Sequence, residues 1–303
     1  MRVSAQMLNL DKQKTAVSRK TLAAMLQRHN TTQQMDDQVS LHEVLVKTSY
    51  LTQITEPDNK NLDNPVGFGS GFIVQYDSDK FFVTADHTIH IDDYKGEIEE
   101  RTWKDYVISI FNNYTDPNNF LSTLITPLGG FYYMEQFHLD KPDNLPRPVD
   151  VSVCKMKAIH FQYPFLTDQV KFTNGEHINA GEHKFTIQKE CFGEPNHDKN
   201  YFAFGKVRTK LIDNIRMEWQ NTLKETLKFK SNSGDFFLFN TQELITDKED
   251  WEGLSGSPVF SEDGDCVGVL CDVLENSNSI WVMPISKVKM LIEVAIQQEK
   301  TND

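Results

Sequence analysis

The chain's most constraining feature is its rhythm of short apolar or alternating runs separated by Gly, Pro, Asn and Asp turn signals. The runs are Gly71–Tyr76, Phe81–Thr84, Tyr106–Phe111, Val149–Val153, His183–Ile187, Phe202–Val207, Phe236–Phe239, Pro258–Phe260, Cys266–Val273 and Ile280–Met283. Each is too short for a core helix, and together they predict an all-β sandwich or barrel. One stretch breaks the rule near the end. Over Ser286–Gln298 the residues Val288, Leu291, Ile292 and Ala295 fall at helical spacing, with Ser286 placed to cap a helix. Residues 1–40 are polar. Their one short helical pattern, Leu22, Met25 and Leu26 within Ser18–His29, has too little apolar surface to fold alone and reads as a docking helix or a loose arm. From Val39 onward, Val44, Val46 and Tyr50 read as strand, bounded by the turn-rich Glu56–Asn64.

Composition narrows the function classes. With 39% hydrophobic and 25% charged residues in 303, the chain can bury a sizeable core. A net charge of −13 argues against nucleic-acid binding. The nearest approach to a basic cluster, Lys206, Arg208 and Lys210, alternates like the solvated face of a strand. No apolar stretch resembles a signal peptide or a membrane span, so neither is expected. The four cysteines, Cys154, Cys191, Cys266 and Cys271, lack metal-ligand spacing, and free buried thiols in a cytoplasmic protein are expected. His87 and His90 have no matching carboxylate or cysteine cluster for zinc, and no cofactor or metal is expected.

Three segments carry chemistry. Gly253-Leu254-Ser255-Gly256-Ser257-Pro258 can expose a serine hydroxyl on a tight turn, with the backbone N–H groups of Gly253 and Ser255 beside it as oxyanion donors. Thr84-Ala85-Asp86-His87 puts a histidine at the end of the strand Phe81–Val83, where it can take the serine's proton. Val149-Asp150-Val151-Ser152-Val153 puts a carboxylate at the head of an alternating strand, where it can orient the imidazole. Asp92, Asp93 and Asp105 lie nearer His87 in sequence and are the rival acids.

The order His, Asp, Ser, with Gly-Ser-Gly-Phe before Thr-Ala-x-His and Gly-x-Ser-Gly-x-Pro near the end, resembles the trypsin-like serine proteases. It is most similar to their disulfide-poor bacterial HtrA/Deg-type branch. Phe192-Gly193-Glu194-Pro195 followed by Phe204-Gly205-Lys206-Val207 resembles that family's second-barrel stretch. The resemblance spans roughly residues 65–298. It implies two six-stranded antiparallel β-barrels with the site in the cleft between them, His87 as base, Asp150 as its orienting acid, Ser255 as nucleophile, and Gly253 with Ser255 as oxyanion hole. The expected parts are an arm (1–40), a first barrel (41–170) with an insertion near 95–142, and a second barrel with the C-terminal helix (171–303). With one helix after Ser286, the peptide-binding domain common in that branch is not expected.

These expectations describe a serine endopeptidase working through an acyl-enzyme on Ser255, dedicated to few protein or peptide substrates. A regulatory partner would act through the arm. The competing class is an inactive scaffold or binding module of the same fold. Leu254 stands where digestive relatives carry the Asp that pairs with a new amino terminus, so that activation route is not supported. The fold builds its specificity pocket from the residues before the nucleophile and the strand after it. Glu249, six residues before Ser255, and Asp272 are the candidate pocket carboxylates for cleavage after Arg or Lys. A solvated acidic loop is the alternative.

Overall fold

A computed structural model describes residues 7–8, 39–59, 61–94, 104, 106–115, 121–136, 146–161, 164–172, 175–212 and 216–302. The helical pattern over Ser18–His29 lies outside these residues, as does Asp105. The elements in chain order are β1 (Met7–Leu8), α1 (Leu41–Thr48), β2 (Tyr50–Thr55), β3 (Gly67–Tyr76), β4 (Asp79–Thr84), β5 (Val107–Thr115), β6 (Leu121–Pro127), β7 (Phe131–Gln136) and β8 (Arg147–Lys155). There follow β9 (Val170–Phe172), β10 (His177–Ile178), β11 (Ile187–Gln188), β12 (Tyr201–Ile212), β13 (Arg216–Ser233), β14 (Phe236–Ile245), β15 (Pro258–Ser261), β16 (Cys266–Val273), β17 (Ser277–Pro284) and α2 (Ile285–Asn302).

The second half is a closed barrel in the order β12-β13-β14-β17-β16-β15. Its strands are antiparallel throughout. The first half departs from the expected closed six-stranded barrel. Its sheet runs β6-β5-β2-β3-β4-β8-β7, with β11 added in parallel beside β3. The strands β6 and β7, both from the 95–142 region, form its two ends. No ladder joins them among the described residues, and side chains close the gap instead. Phe131, at the start of β7, packs against two clusters, one containing Tyr50, Ile110 and Leu128 and the other Tyr106 and Ile108.

A larger core lies between the halves. Val149, Val151 and Val153 of β8 bury one face there with Phe72 and Val74 of β3, Phe202 and Phe204 of β12, and Val269 and Cys271 of β16. The strand period of two sends Asp150, Ser152 and Cys154 to the opposite face. Helix α2 covers this core with Ile285, Val288, Leu291, Ile292 and Ala295, the spacing the sequence predicts. The reading of 39–50 as strand is corrected: Leu41–Thr48 is helical. The Ser40 hydroxyl accepts from the Glu43 N–H, and Leu41, Val44 and Leu45 face the core. All four cysteines are free and buried.

The expected boundary at 170/171 falls inside β9, within a connector that bonds to both halves. Asp168, 5% exposed, accepts from Lys206 Nζ at 2.6 Å, Asn221 Nδ2 at 2.9 Å and Trp219 Nε1 at 3.1 Å. Burial pushes its pKa up, but the Lys206 charge and these donors outweigh that and hold it below the ordinary value. Lys206 is therefore an internal anchor, not part of a solvated face. Lys206→Met leaves that carboxylate unpaired in the interior and is expected to cost about 3 kcal/mol or more, read as a lower urea midpoint at constant m-value.

Candidate active site

The turn carrying Ser255 is braced from both halves of the molecule. Within the second barrel, the Leu254 N–H donates to Trp251 O at 3.0 Å and Ser257 N–H to Leu254 O at 2.8 Å, while Trp251 and Leu254 are buried in the barrel core. Gly253 and Gly256 have φ of +100° and +91°. A side chain at Gly253 would put its Cβ 2.3 Å from Lys206 O, and one at Gly256 would come within 2.0 Å of Ser70 O. Only glycine fits either place. From the first sheet, Ser70 of β3 donates its N–H to Ser255 O at 2.8 Å and its hydroxyl to Gly253 O at 2.6 Å. This leaves the N–H groups of Gly253 and Ser255 without acceptors among the described residues.

His87 sits on a 3-10 turn, Asp86–Thr88, directly after β4. The antiparallel pairing of β4 with β8 sets Thr84 opposite Ser152, so Asp150 lies two residues past the last pair, beside the turn. Asp150 Oδ1 accepts from the His87 N–H at 3.0 Å, and both carboxylate oxygens lie 3.0 Å from His87 Nδ1. The contact fixes the proton of the neutral ring on Nδ1 and frees Nε2 as a base; Nε2 has no partner among the described residues. Asp92 accepts from the Tyr106 hydroxyl instead, and neither Asp92 nor Asp93 bonds to His87.

Burial lowers the His87 pKa, but the charge and hydrogen bonds of Asp150, with smaller effects from Asp272 and Asp86, outweigh it and hold the imidazole above its ordinary 6.5. Burial raises Asp150, and the same pairing more than reverses that, leaving the carboxyl below its ordinary 3.8. The pair therefore contributes its full stability between those ordinary values. The contribution fades as pH falls through the lowered Asp150 pKa or rises through the raised His87 pKa.

Ser255, His87, Asp150 and Gly253 line one cleft of about 900 Å³ between the halves. The Ser255 hydroxyl donates to Cys271 O at 3.1 Å and makes no bond to His87. The Cys271 thiol in turn donates to Asp150 O at 3.3 Å. Of the two candidate pocket carboxylates, only Asp272 lines the cleft. Glu249 is on the surface, held by Arg208 Nη1 at 3.0 Å, and does not line the cleft. Arg208, at a bulge with φ +51°, also binds Asp247 and Asp250, so the acidic loop is an anchor for that arginine. Asp272 does line the cleft, but it is half-exposed and paired with Lys248 at 3.1 Å. The aromatics of β7 do not line the cleft: Phe131 packs inside the first sheet, Tyr132 against the larger core between the halves, and Tyr133 against His90.

Motif reading assigns no role to three participants: Ser70 as a brace, Cys271, whose backbone carbonyl accepts the hydrogen bond of the Ser255 hydroxyl, and Tyr94, whose ring meets His87 edge-on at 5.8 Å. Gly69-Ser70-Gly71 carries the one available signal, a polar side chain between glycines at a strand entry.

No protein-family model matches the chain, and no curated protein matches it. Among solved structures, the chain is similar to a serine endoprotease from Yersinia pestis, with 13% identity and a TM-score of 0.42. The match covers 84% of this chain but only 65% of that one. It is also similar to the MamO protease domain from Magnetospirillum magneticum in its apo form, with 12% identity and a TM-score of 0.40, covering 82% of this chain and 98% of that one. Likenesses this distant assign no family, and the functional reading rests on the cleft itself. No helix among the described residues is long and apolar enough to cross a membrane, and no cluster there is suited to a metal ion.

If His87 must be neutral to accept a proton, any hydrolysis by this cleft is expected to lose rate as pH falls through a value above 6.5. Asp150→Asn should shift that limb to lower pH while cutting turnover by roughly three to four orders of magnitude, measured as kcat/KM against pH.

Proposed function

We propose that this chain is a serine endopeptidase that cleaves peptide bonds through an acyl-enzyme on Ser255. The observation that carries this reading is the double contact of Asp150 with His87. It leaves Nε2 as the only free ring nitrogen, in the same cleft as Ser255 and two unpartnered backbone N–H groups. In this reading the Ser255 side chain turns from the Cys271 carbonyl toward Nε2, across the cleft that both residues line, and gives up its proton there. The oxygen then attacks the scissile carbonyl, whose developing negative charge is met by the N–H groups of Gly253 and Ser255. His87, now protonated and stabilised by Asp150, returns the proton to the leaving amine. Water, activated in turn by His87, hydrolyses the ester.

Cleavage after Arg or Lys loses its support, since Glu249 lies outside the cleft and Asp272 is already paired with Lys248. We keep the narrower role of a dedicated processing enzyme with few targets. The second reading is an inactive scaffold of the same fold, favoured by the bond that turns the Ser255 hydroxyl away from His87.

A fluorophosphonate probe separates the two. The peptidase reading expects covalent labelling mapped to Ser255, abolished in Ser255→Ala and reduced at least a thousandfold in rate in His87→Ala, with both variants folded. An unlabelled wild type supports the scaffold. In a mixed peptide library, Glu249→Gln should leave the cleavage profile unchanged, and a selective loss of basic sites would restore the discarded pocket.

A further inference from the structure

Behind the His87–Asp150 pair lies a second carboxylate that the proposed chemistry does not use. Asp86, next to His87 in sequence, is 1% exposed. It accepts from three side chains: the His90 Nδ1 at 3.1 Å, the Tyr94 hydroxyl at 3.0 Å and the Ser152 hydroxyl. Each donor comes from a different place. His90 lies just after the 3-10 turn that carries His87, Tyr94 closes the next turn (Ile91–Tyr94), and Ser152 is on β8. The strand alternation that sends Asp150 toward His87 also sends Ser152, two residues on, toward Asp86. A pair of neighbouring side chains on one strand thus holds a pair of neighbouring residues on one turn.

Two further contacts give the arrangement a direction. Tyr94 stands edge-on to the His87 ring, with an interplanar angle of 67°, while its hydroxyl is tied to Asp86. Tyr133 of β7 packs edge-on against His90 at 4.8 Å, joining the inserted region to the same network. A buried acceptor with three donors is rigid, because losing any one leaves polar groups unsatisfied away from water.

We infer that Asp86 is a positioning residue for His87, fixing the turn that carries the base and holding Tyr94 against the imidazole, with its charge adding to that of Asp150. The inference rests on the proposed role of His87 as base. The groups facing His87 are Asp150 from β8, Asp272 and Cys271 from β16, Asp86 from its own turn and Tyr94 from the next. Of these, Asp272 is engaged by Lys248 at the surface, and Cys271 is a buried thiol whose pKa burial raises. Asp150 and Asp86 are the two buried carboxylates that favour the imidazolium.

The test combines kinetics with histidine NMR titration of the full chain, the His87 signal being assigned by its loss in His87→Gln. Asp86→Asn keeps the shape and removes the charge. It is expected to lower kcat roughly tenfold or more with little change in KM, and to move the His87 midpoint and the acid limb of kcat/KM to lower pH. Tyr94→Phe keeps the ring and the Asp86 charge, so it is expected to lower kcat roughly fivefold, the worth of one hydrogen bond, without moving the midpoint. A merely structural role would lower the melting temperature and leave the midpoint in place. A folded Asp86→Asn protein with wild-type kcat and midpoint overturns the inference. If Asp86→Asn does not fold, Tyr94→Phe and Ser152→Ala decide, and wild-type kcat in both overturns it. If the wild type fails to label with fluorophosphonate, the peptidase reading falls. The NMR midpoint then still decides for or against Asp86, because it needs no turnover.

Discussion

Ser70 ties the two sides of the cleft together. Its peptide N–H and its hydroxyl grip the carbonyls of Ser255 and Gly253, so the turn bearing Ser255 belongs to one half of the molecule but is held by a strand of the other. The same strand position exposes its carbonyl to the Thr84 hydroxyl at 2.8 Å, and Thr84 ends the strand that leads to His87. One residue thereby sets the relation between serine and histidine. The grip also explains why the turn needs glycine at 256, since a methyl group there would strike the Ser70 carbonyl. Two halves that merely packed through apolar contact would slide; directional bonds fix the register between them.

Beyond that clasp, the cleft is arranged in layers of decreasing exposure. Ser255 and His87 face the open space. Asp150 lies behind the histidine, and Asp86 with His90 and Ser152 lies deeper still, where each polar atom is matched by another. Apolar residues of β8 seal the back, and α2 covers the seam between the halves. Charge near the surface is handled differently. Arg208 is shared among Asp247, Glu249 and Asp250, which stiffens the approach to the Ser255 turn at little energetic gain per exposed pair.

How much of this could be read in the sequence follows from what each feature demands of its residues. The serine turn was legible because positive φ and close backbone approach restrict positions 253 and 256 to glycine, and the histidine because it follows the end of a short apolar strand. Asp150 was legible through strand alternation, which also ranked it above Asp92. Helix α1 was misread because Val44 and Val46 alternate like a strand. The true signals, Ser40 with Glu43 three residues later and Leu41, Val44 and Leu45 on one face, were present but short. The 18-residue strand β13 was missed because Lys224, Glu225, Lys228 and Lys230 give it a polar surface, and its length comes from pairing with β12. Glu249 failed for a different reason. Counting along the chain cannot reveal that Arg208, from a bulge about forty residues earlier, captures its side chain.

The four buried thiols also make the protein a recorder of its own openings. A thiol that water rarely reaches reacts with an alkylating reagent only in the moments when its surroundings part. Cys154 lies inside the first sheet, Cys191 and Cys266 lie where the connector bridges to the second barrel through Phe192, and Cys271 sits beneath the cleft. Followed over time under native conditions, their separate rates of labelling would chart which part of the molecule breathes first.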